Sequence, residues 1–153
     1  MVAAARFGKQ GISAMKHLTI FAFLMATTSL ASAASNESFI GQIGVGNGAT
    51  VGQTAGNNRQ ATIQAGHGNN AVTSQVGPTS GSNLNESGII QIGAKNTALA
   101  GQTGGNNRQG TLQVGVKNYA TTSQSGATGS KKNASGTAQF GYQNGSVVGQ
   151  TGG

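Results

Sequence analysis

Glutamine recurs along this chain at a fixed interval. It stands at Gln42, Gln53, Gln64 and Gln75, then at Gln91, Gln102, Gln113 and Gln124, then at Gln139 and Gln150, with a spacing of 11 inside each group. Six residues before each of these stands an asparagine: Asn36, Asn47, Asn58, Asn69, Asn85, Asn96, Asn107, Asn118, Asn133 and Asn144. All ten segments therefore obey N-x5-Q. Glycine follows two residues after every glutamine except Gln53, where Ala55 takes its place. Alternate segments carry Ala49, Ala71, Ala98, Ala120 or Ser146 two residues after the asparagine. The true unit is thus two segments, about 22 residues, and self-similarity at such a period is the signature of a repeat architecture. Units begin near Asn36, Asn58, Asn85, Asn107 and Asn133.

Two interruptions lengthen the spacing, both after the second half of a unit. Val76–Leu84 and Ser125–Lys132 are rich in Gly, Ser and Thr, and the first contains Pro78. They are expected to be enlarged loops at one corner of the fold. They produce a super-repeat of about 49 residues, in which Gln53–Gln60 (QTAGNNRQ) returns as Gln102–Gln109 (QTGGNNRQ).

Neither the period nor the abundant Gly and Asn suits a helix. The seven residues from Asn to Gln suit an extended strand. Q-x-G-x-x-N suits a tight turn, because Gly and Asn tolerate positive φ. Two strands and two turns per unit predict an all-β, five-coil β-solenoid with amyloid-like cross-β stacking at about 4.7–4.8 Å. Side chains alternate between faces, so Asn, Gln and the residue at Gln−2 share one side. The Gln−2 set is small or β-branched (Ile40, Val51, Thr62, Thr73, Ile89 and their equivalents), so this side is placed inside. Each carboxamide then lies above its counterpart and forms a stacking ladder.

On the outside, the first strands carry Ile43, Ala65, Ile92, Val114 and Phe140 at Gln+1, and Ile63, Ile90, Leu112 and Ala138 at Gln−1. The second strands carry Thr54, Val76, Thr103, Ser125 and Thr151. One apolar and one polar outer face are expected. Strand propensity accounts for the apolar face as well as a sticky surface for lateral bundling does. Arg59 and Arg108 are read as solvated turn charges, as are Lys95 and Lys117, in preference to a ligand site.

Charged residues make up 7% of the chain, with 27 Gly and no Cys. Such polarity alone would suit disorder, but strict periodicity is not something a disordered linker needs. Arg6, Lys9 and Lys16, the apolar run Leu18–Met25 and the small-residue site Ala31-Ser32-Ala33 read together as a secretory signal over residues 1–33. Met15 is an alternative start, which would make the first 14 residues an upstream extension. The repeat domain is 34–153. Nine Lys/Arg less three in the leader leaves six, and six less Glu37 and Glu86 leaves +4. A weakly basic surface attracts acidic polysaccharide or extracellular DNA without reading a nucleic-acid sequence, and the same charge serves solubility alone.

No constellation for catalysis, a cofactor or a metal is found, and the chain is not read as an enzyme. Asp is absent, which excludes calcium-binding repeats that need it. His17 lies in the leader, so His67 has no partner for zinc. Glu37 and Glu86 lie in separate coils, and no base is spaced with the many Ser and Thr. Gly runs lack the G-K-[ST] of a phosphate loop.

Gln42-Ile43-Gly44…Asn47…Ala49…Gln53, and the matching spans from Gln64, Gln91, Gln113 and (with Ser146) Gln139, closely resemble the curlin repeat S-x5-Q-x-G-x2-N-x-A-x3-Q of the bacterial surface amyloid curli. The resemblance covers essentially the whole chain after the leader. It departs in that Asn replaces the leading Ser in every unit, and in that only Ala34 and Ser35 separate the leader from the first repeat. It implies export through the periplasm and an outer-membrane secretion pore with chaperones. It also implies head-to-tail polymerisation at the cell surface, and roles in adhesion and biofilm matrix beside a partner major subunit or nucleator. The regular last unit favours the polymerising major subunit over the nucleator. Neither end carries an evident cap, which also points to open-ended stacking. The rival reading is a monomeric exported β-solenoid adhesin or ice-binding protein.

Overall fold

A computed structural model describes residues 35–78, 84–126 and 132–152. The leader read in residues 1–33 lies outside these, as does most of both enlarged corner segments. Ten strands and no helix are present among the described residues. They are β1 (Asn36–Val45), β2 (Gly48–Thr54), β3 (Asn57–His67), β4 (Asn70–Val76), β5 (Leu84–Ala94), β6 (Thr97–Thr103), β7 (Asn107–Val116), β8 (Tyr119–Ser125), β9 (Asn133–Tyr142) and β10 (Gly145–Thr151).

Odd strands form one sheet, β1-β3-β5-β7-β9, and even strands the other, β2-β4-β6-β8-β10. All eight pairings are parallel. The chain crosses from one sheet to the other at each corner and rises through about four turns over five levels, a β-solenoid. Motif residues pair with their own kind throughout: Gln42↔Gln64↔Gln91↔Gln113↔Gln139 in the odd sheet and Gln53↔Gln75↔Gln102↔Gln124↔Gln150 in the even one. The extra residues of the two interruptions do not disturb this register. They are taken up between β4 and β5 and between β8 and β9.

The strand limits differ from the simple Asn-to-Gln expectation. Odd strands run for 10 or 11 residues, through the motif glycine and two or more positions beyond the glutamine. Even strands begin one residue after their asparagine and have 7 residues. The turn after each odd strand is correspondingly tighter. Its left-handed residue is the one before the motif asparagine: Gly46, Gly68, Lys95, Lys117 and Gln143, with φ between 55° and 68°. The motif asparagine has no positive φ and acts through its side chain instead. Arg59, Arg108 and His67 also lie on strands β3 and β7 rather than on turns.

The motif glycine of the odd sheet is a steric requirement. Gly44, Gly66, Gly93 and Gly115 have φ between 116° and 130°, and a Cβ on any of them would lie 1.9–2.0 Å from the carbonyl oxygen of the next glycine in the column. Gly88 and Gly110 differ, since a Cβ there meets nothing within 4 Å.

The interior is mostly polar. Among the described residues, five apolar side chains are buried, Ala71, Ile89, Ala98, Ala100 and Ala120, against twenty-one polar ones. Hydrophobic burial is therefore too small to hold the two sheets by itself, and the interior depends on hydrogen bonds, which the buried polar side-chain atoms of the described residues make except for Oγ1 of Thr73, Thr121 and Thr137. Gly93→Ala is expected to destabilise the fold by more than about 3 kcal/mol, since backbone must move and φ is left-handed. Gly88→Ala should change stability by less than about 1 kcal/mol. Denaturant unfolding followed by far-UV circular dichroism separates the two.

Candidate functional site

Alternation along each strand turns Asn, Gln and the Gln−2 residue inward, and the parallel register places like on like. Four continuous carboxamide columns result. In the odd-sheet glutamine column, Nε2 of Gln42, Gln64, Gln91 and Gln113 each donates to Oε1 of the next glutamine, at 2.6, 2.7, 2.8 and 2.8 Å. In the even sheet, Gln53, Gln75, Gln102 and Gln124 do the same, ending on Gln150, at 2.8, 2.7, 2.9 and 2.7 Å.

The asparagine columns run the other way. Asn58, Asn85, Asn107 and Asn133 each donate from Nδ2 to Oδ1 of the level before, down to Asn36, at 2.9–3.1 Å. Asn69, Asn96, Asn118 and Asn144 donate likewise down to Asn47, at 3.0–3.2 Å.

Each column's direction is fixed by main-chain groups. Every glutamine of the two columns except Gln42 also donates from Nε2 to a carbonyl of the opposite sheet, for example Gln91 to Asn70 O at 3.0 Å and Gln102 to Glu86 O at 2.8 Å. A carbonyl only accepts, so the nitrogen must face it. The asparagine oxygens Oδ1 of Asn47, Asn69, Asn85, Asn96 and Asn118 accept main-chain N–H groups of the next level at 3.0–3.3 Å. Flipping any of these amides would set donor against donor. The asparagine nitrogens also close their own turns, as in Asn58 to Ala55 O at 2.6 Å and Asn144 to Phe140 O at 2.8 Å.

In the middle levels these groups are fully enclosed, with Gln64, Gln75, Gln91 and Gln113 at 0% exposure. Those of the outermost levels are partly open. Oε1 of Gln42 and Gln53 and Nδ2 of Asn36 have no acceptor or donor partner among the described residues, and neither do Oδ1 of Asn133 and Asn144. The two ends are therefore chemically distinct. The first level offers glutamine oxygens and an asparagine N–H. The last level offers asparagine oxygens and glutamine N–H groups.

A fifth polar column escaped sequence reasoning. Ser38, Gln60, Ser87, Gln109 and Ser135 alternate at Asn+2 of the odd strands, opposite in kind to the alanines of the even strands. Ser38 Oγ donates to Gln60 Oε1 at 3.0 Å, and Gln109 Nε2 donates to Ser87 Oγ at 2.7 Å. Gln60 and Thr62 are bonded through Nε2 and Oγ1. The signal lay in the triplets NES, NRQ, NES, NRQ and NAS that open the five units.

The same triplets build a charged column outside the odd sheet. Arg59 Nε is 2.9 Å from Glu37 Oε2, Arg108 Nε is 3.4 Å from Glu86 Oε2, and Arg59 Nη1 is 3.9 Å from Glu86 Oε1. Arg59 and Arg108 are thus solvated, as expected, but they lie on strands and face carboxylate partners. Arg59 stands between Glu37 and Glu86 and faces both carboxylates. Lys95 and Lys117 do occupy a turn column, and Lys117 Nζ contacts Tyr142 OH at 3.2 Å.

The odd sheet's outer face is apolar, with Ile43, Ile63, Ile90, Ile92 and Phe140 exposed. The even sheet's face is less uniformly polar than expected, because Val72, Leu99 and the exposed Val147 form a stripe with Thr50 and Thr121. No group of three or more His, Cys, Asp and Glu is placed to hold a metal among the described residues.

Replacing Gln91 by Leu strands one of the two N–H groups of Gln64, whose other N–H keeps Gly48 O, and the Oε1 of Gln113, and each unpaired buried group costs about 1–3 kcal/mol. A loss of roughly 2–5 kcal/mol is expected from denaturant midpoints. Thr73 provides the contrast. Its Oγ1 is buried without a partner among the described residues, so Thr73→Val should be neutral or stabilising by up to about 1 kcal/mol.

No family model, curated protein or solved structure matches this chain.

Proposed function

We propose that this chain is the structural subunit of a secreted, curli-type amyloid fibre that grows head to tail at a bacterial surface and serves adhesion and biofilm matrix. The carrying observation is the complementarity of the two ends. A copy stacked in the same direction brings the N–H groups of Gln139 and Gln150 onto the oxygens of Gln42 and Gln53. It brings the N–H of Asn36 onto the oxygen of Asn133. A copy stacked upside down sets oxygen against oxygen. The contact is heterologous and does not close, so it propagates as a filament. Edge strands β1, β2, β9 and β10 supply the unpaired main-chain groups for the added strands.

The charged column supports the same junction. Level types alternate as Glu37, Arg59, Glu86 and Arg108, and a continued alternation would put Glu at position 134. That carboxylate would stand directly against Glu37 of the next copy, and like charges directly opposite are destabilising. Ala134 occupies the position instead. Export follows from the leader read in residues 1–33. The partners are then those that the curlin resemblance implies: further copies, a nucleator, a secretion pore and chaperones. The weakly basic surface suits acidic polysaccharide or extracellular DNA of a matrix.

The mature chain, incubated in buffer, should form dye-binding fibrils after a lag that seeds abolish. A stable monomer by sedimentation would sink the reading and favour a monomeric adhesin or ice-binding solenoid. A second prediction bears on the junction itself. Ala134→Glu should slow seeded elongation by up to about fivefold, the equivalent of about 1 kcal/mol for a directly opposed like pair. Ala134→Gln, which adds a side chain of the same size without charge, should leave it unchanged. Equal effects of the two would remove Glu37 from the interface.

A further inference from the structure

The outer face of the odd sheet has a relief that composition alone does not reveal. At Gln−3 stand Phe39, Ala61, Gly88, Gly110 and Gly136, and at Gln−1 on the same face stand Gly41, Ile63, Ile90, Leu112 and Ala138. In every level the larger residue of one column lies beside the smaller of the other. In the first level Phe39 lies over Gly41, where a Cβ would come within 3.4 Å of the ring. In the third to fifth levels the glycines are open, and a Cβ at Gly88, Gly110 or Gly136 meets nothing within 4 Å. A trough thus runs along the third to fifth levels, bordered by a ridge in which Ile63 and Ile90 are 43% and 40% exposed.

We infer that this face pairs with the same face of a second copy, across a two-fold axis parallel to the stack, so that the ridge of each copy fills the trough of the other. The inference rests on the filament proposed above and adds a lateral interface to it. Rotation about that axis keeps levels aligned and exchanges the two columns. Ile90 then seats over Gly88 of the second copy and Leu112 over Gly110. Ala138 comes over Gly136. The flanking charged column lies over the Gln+1 column, with its aliphatic stems on apolar side chains and its charged heads at the rim.

The relief argues against the alternative two-fold axis, along the strands. That axis reverses the order of levels and opposes each column to itself. At any height it sets ridge against ridge and glycine against glycine, so the space beside Gly88, Gly110 and Gly136 stays unfilled.

The size of the face explains why pairing belongs to filaments. Five strands at about 4.8 Å and seven residues at about 3.3 Å make a patch of roughly 550 Å² per chain. Stable complexes use about 800 Å² per partner. One chain therefore pairs weakly, whereas contacts repeated along a filament act together.

Gly88→Val with Gly110→Val tests this without disturbing the chain, since neither glycine has positive φ and both have room for a side chain. Mass per length of the filaments is measured by scanning transmission electron microscopy. Wild-type filaments should carry two chains per five strand spacings, and the trough-filled variant one. Adding Ile90→Ala and Leu112→Ala exchanges ridge and trough, and should restore two. Wild-type filaments with one chain, a variant that stays paired, or an exchange that fails to restore pairing would each overturn the inference while leaving the fibre reading intact. A wild-type chain that forms no filament would overturn both.

Discussion

A buried carboxamide must both donate and accept, and that demand governs this molecule. With few apolar side chains inside, the energy of the fold lies in satisfying amides out of water. A single Asn or Gln cannot be satisfied by a neighbour of another shape as well as by a copy of itself one strand away. Identity between levels is the inexpensive solution, and everything else follows from it. Strands must be parallel and in register, each crossing from sheet to sheet must occur at the same place, and any added residue must leave through a corner. Net gain per bond is small, about 0.5–1.5 kcal/mol, while the penalty for an unpaired amide is about 1–3 kcal/mol. The columns therefore specify alignment more than they contribute stability.

Much of this was legible in the chain itself. The N-x5-Q spacing, together with small or β-branched residues at Gln−2, leads to two strands per unit and to an inward-facing Asn and Gln. The β-solenoid is what the structure shows. What could not be read concerns backbone angles and contacts between levels, which residue spacing does not encode. Odd strands extend past their glutamine because Gly44 and its equivalents adopt a backbone conformation that keeps the ladder intact, and a spacing rule does not encode φ. The left-handed corner falls on Lys95, Lys117 and Gln143 as well as on glycines, so residue type misdirected the assignment of the turn. The carboxylate partners of Arg59 and Arg108 could not be read because they are 22 residues away in sequence but one strand away in space.

The Ser/Gln alternation was overlooked for a related reason. Its period is two levels, so it is absent from the features that all five units share. The same two-level rhythm sets the ion pairs, so one triplet controls both an inner and an outer column. Strand alternation makes this possible: Asn, Glu or Arg, and Ser or Gln are consecutive, yet they face in, out and in. A five-level body cannot carry a two-level rhythm unbroken across its ends, and the departure at Ala134 falls on the level where the rhythm would fail.

The opposed directions of the glutamine and asparagine columns have an electrostatic consequence. In an α-helix all peptide dipoles align, and partial charges build at the two ends. Here two columns of amide dipoles point one way along the stack and two the other, so their axial components largely cancel. Lengthening such a body adds hydrogen bonds without adding a macroscopic dipole, so in the proposed fibre an arriving chain would meet the same field from these columns at the tenth molecule as at the thousandth.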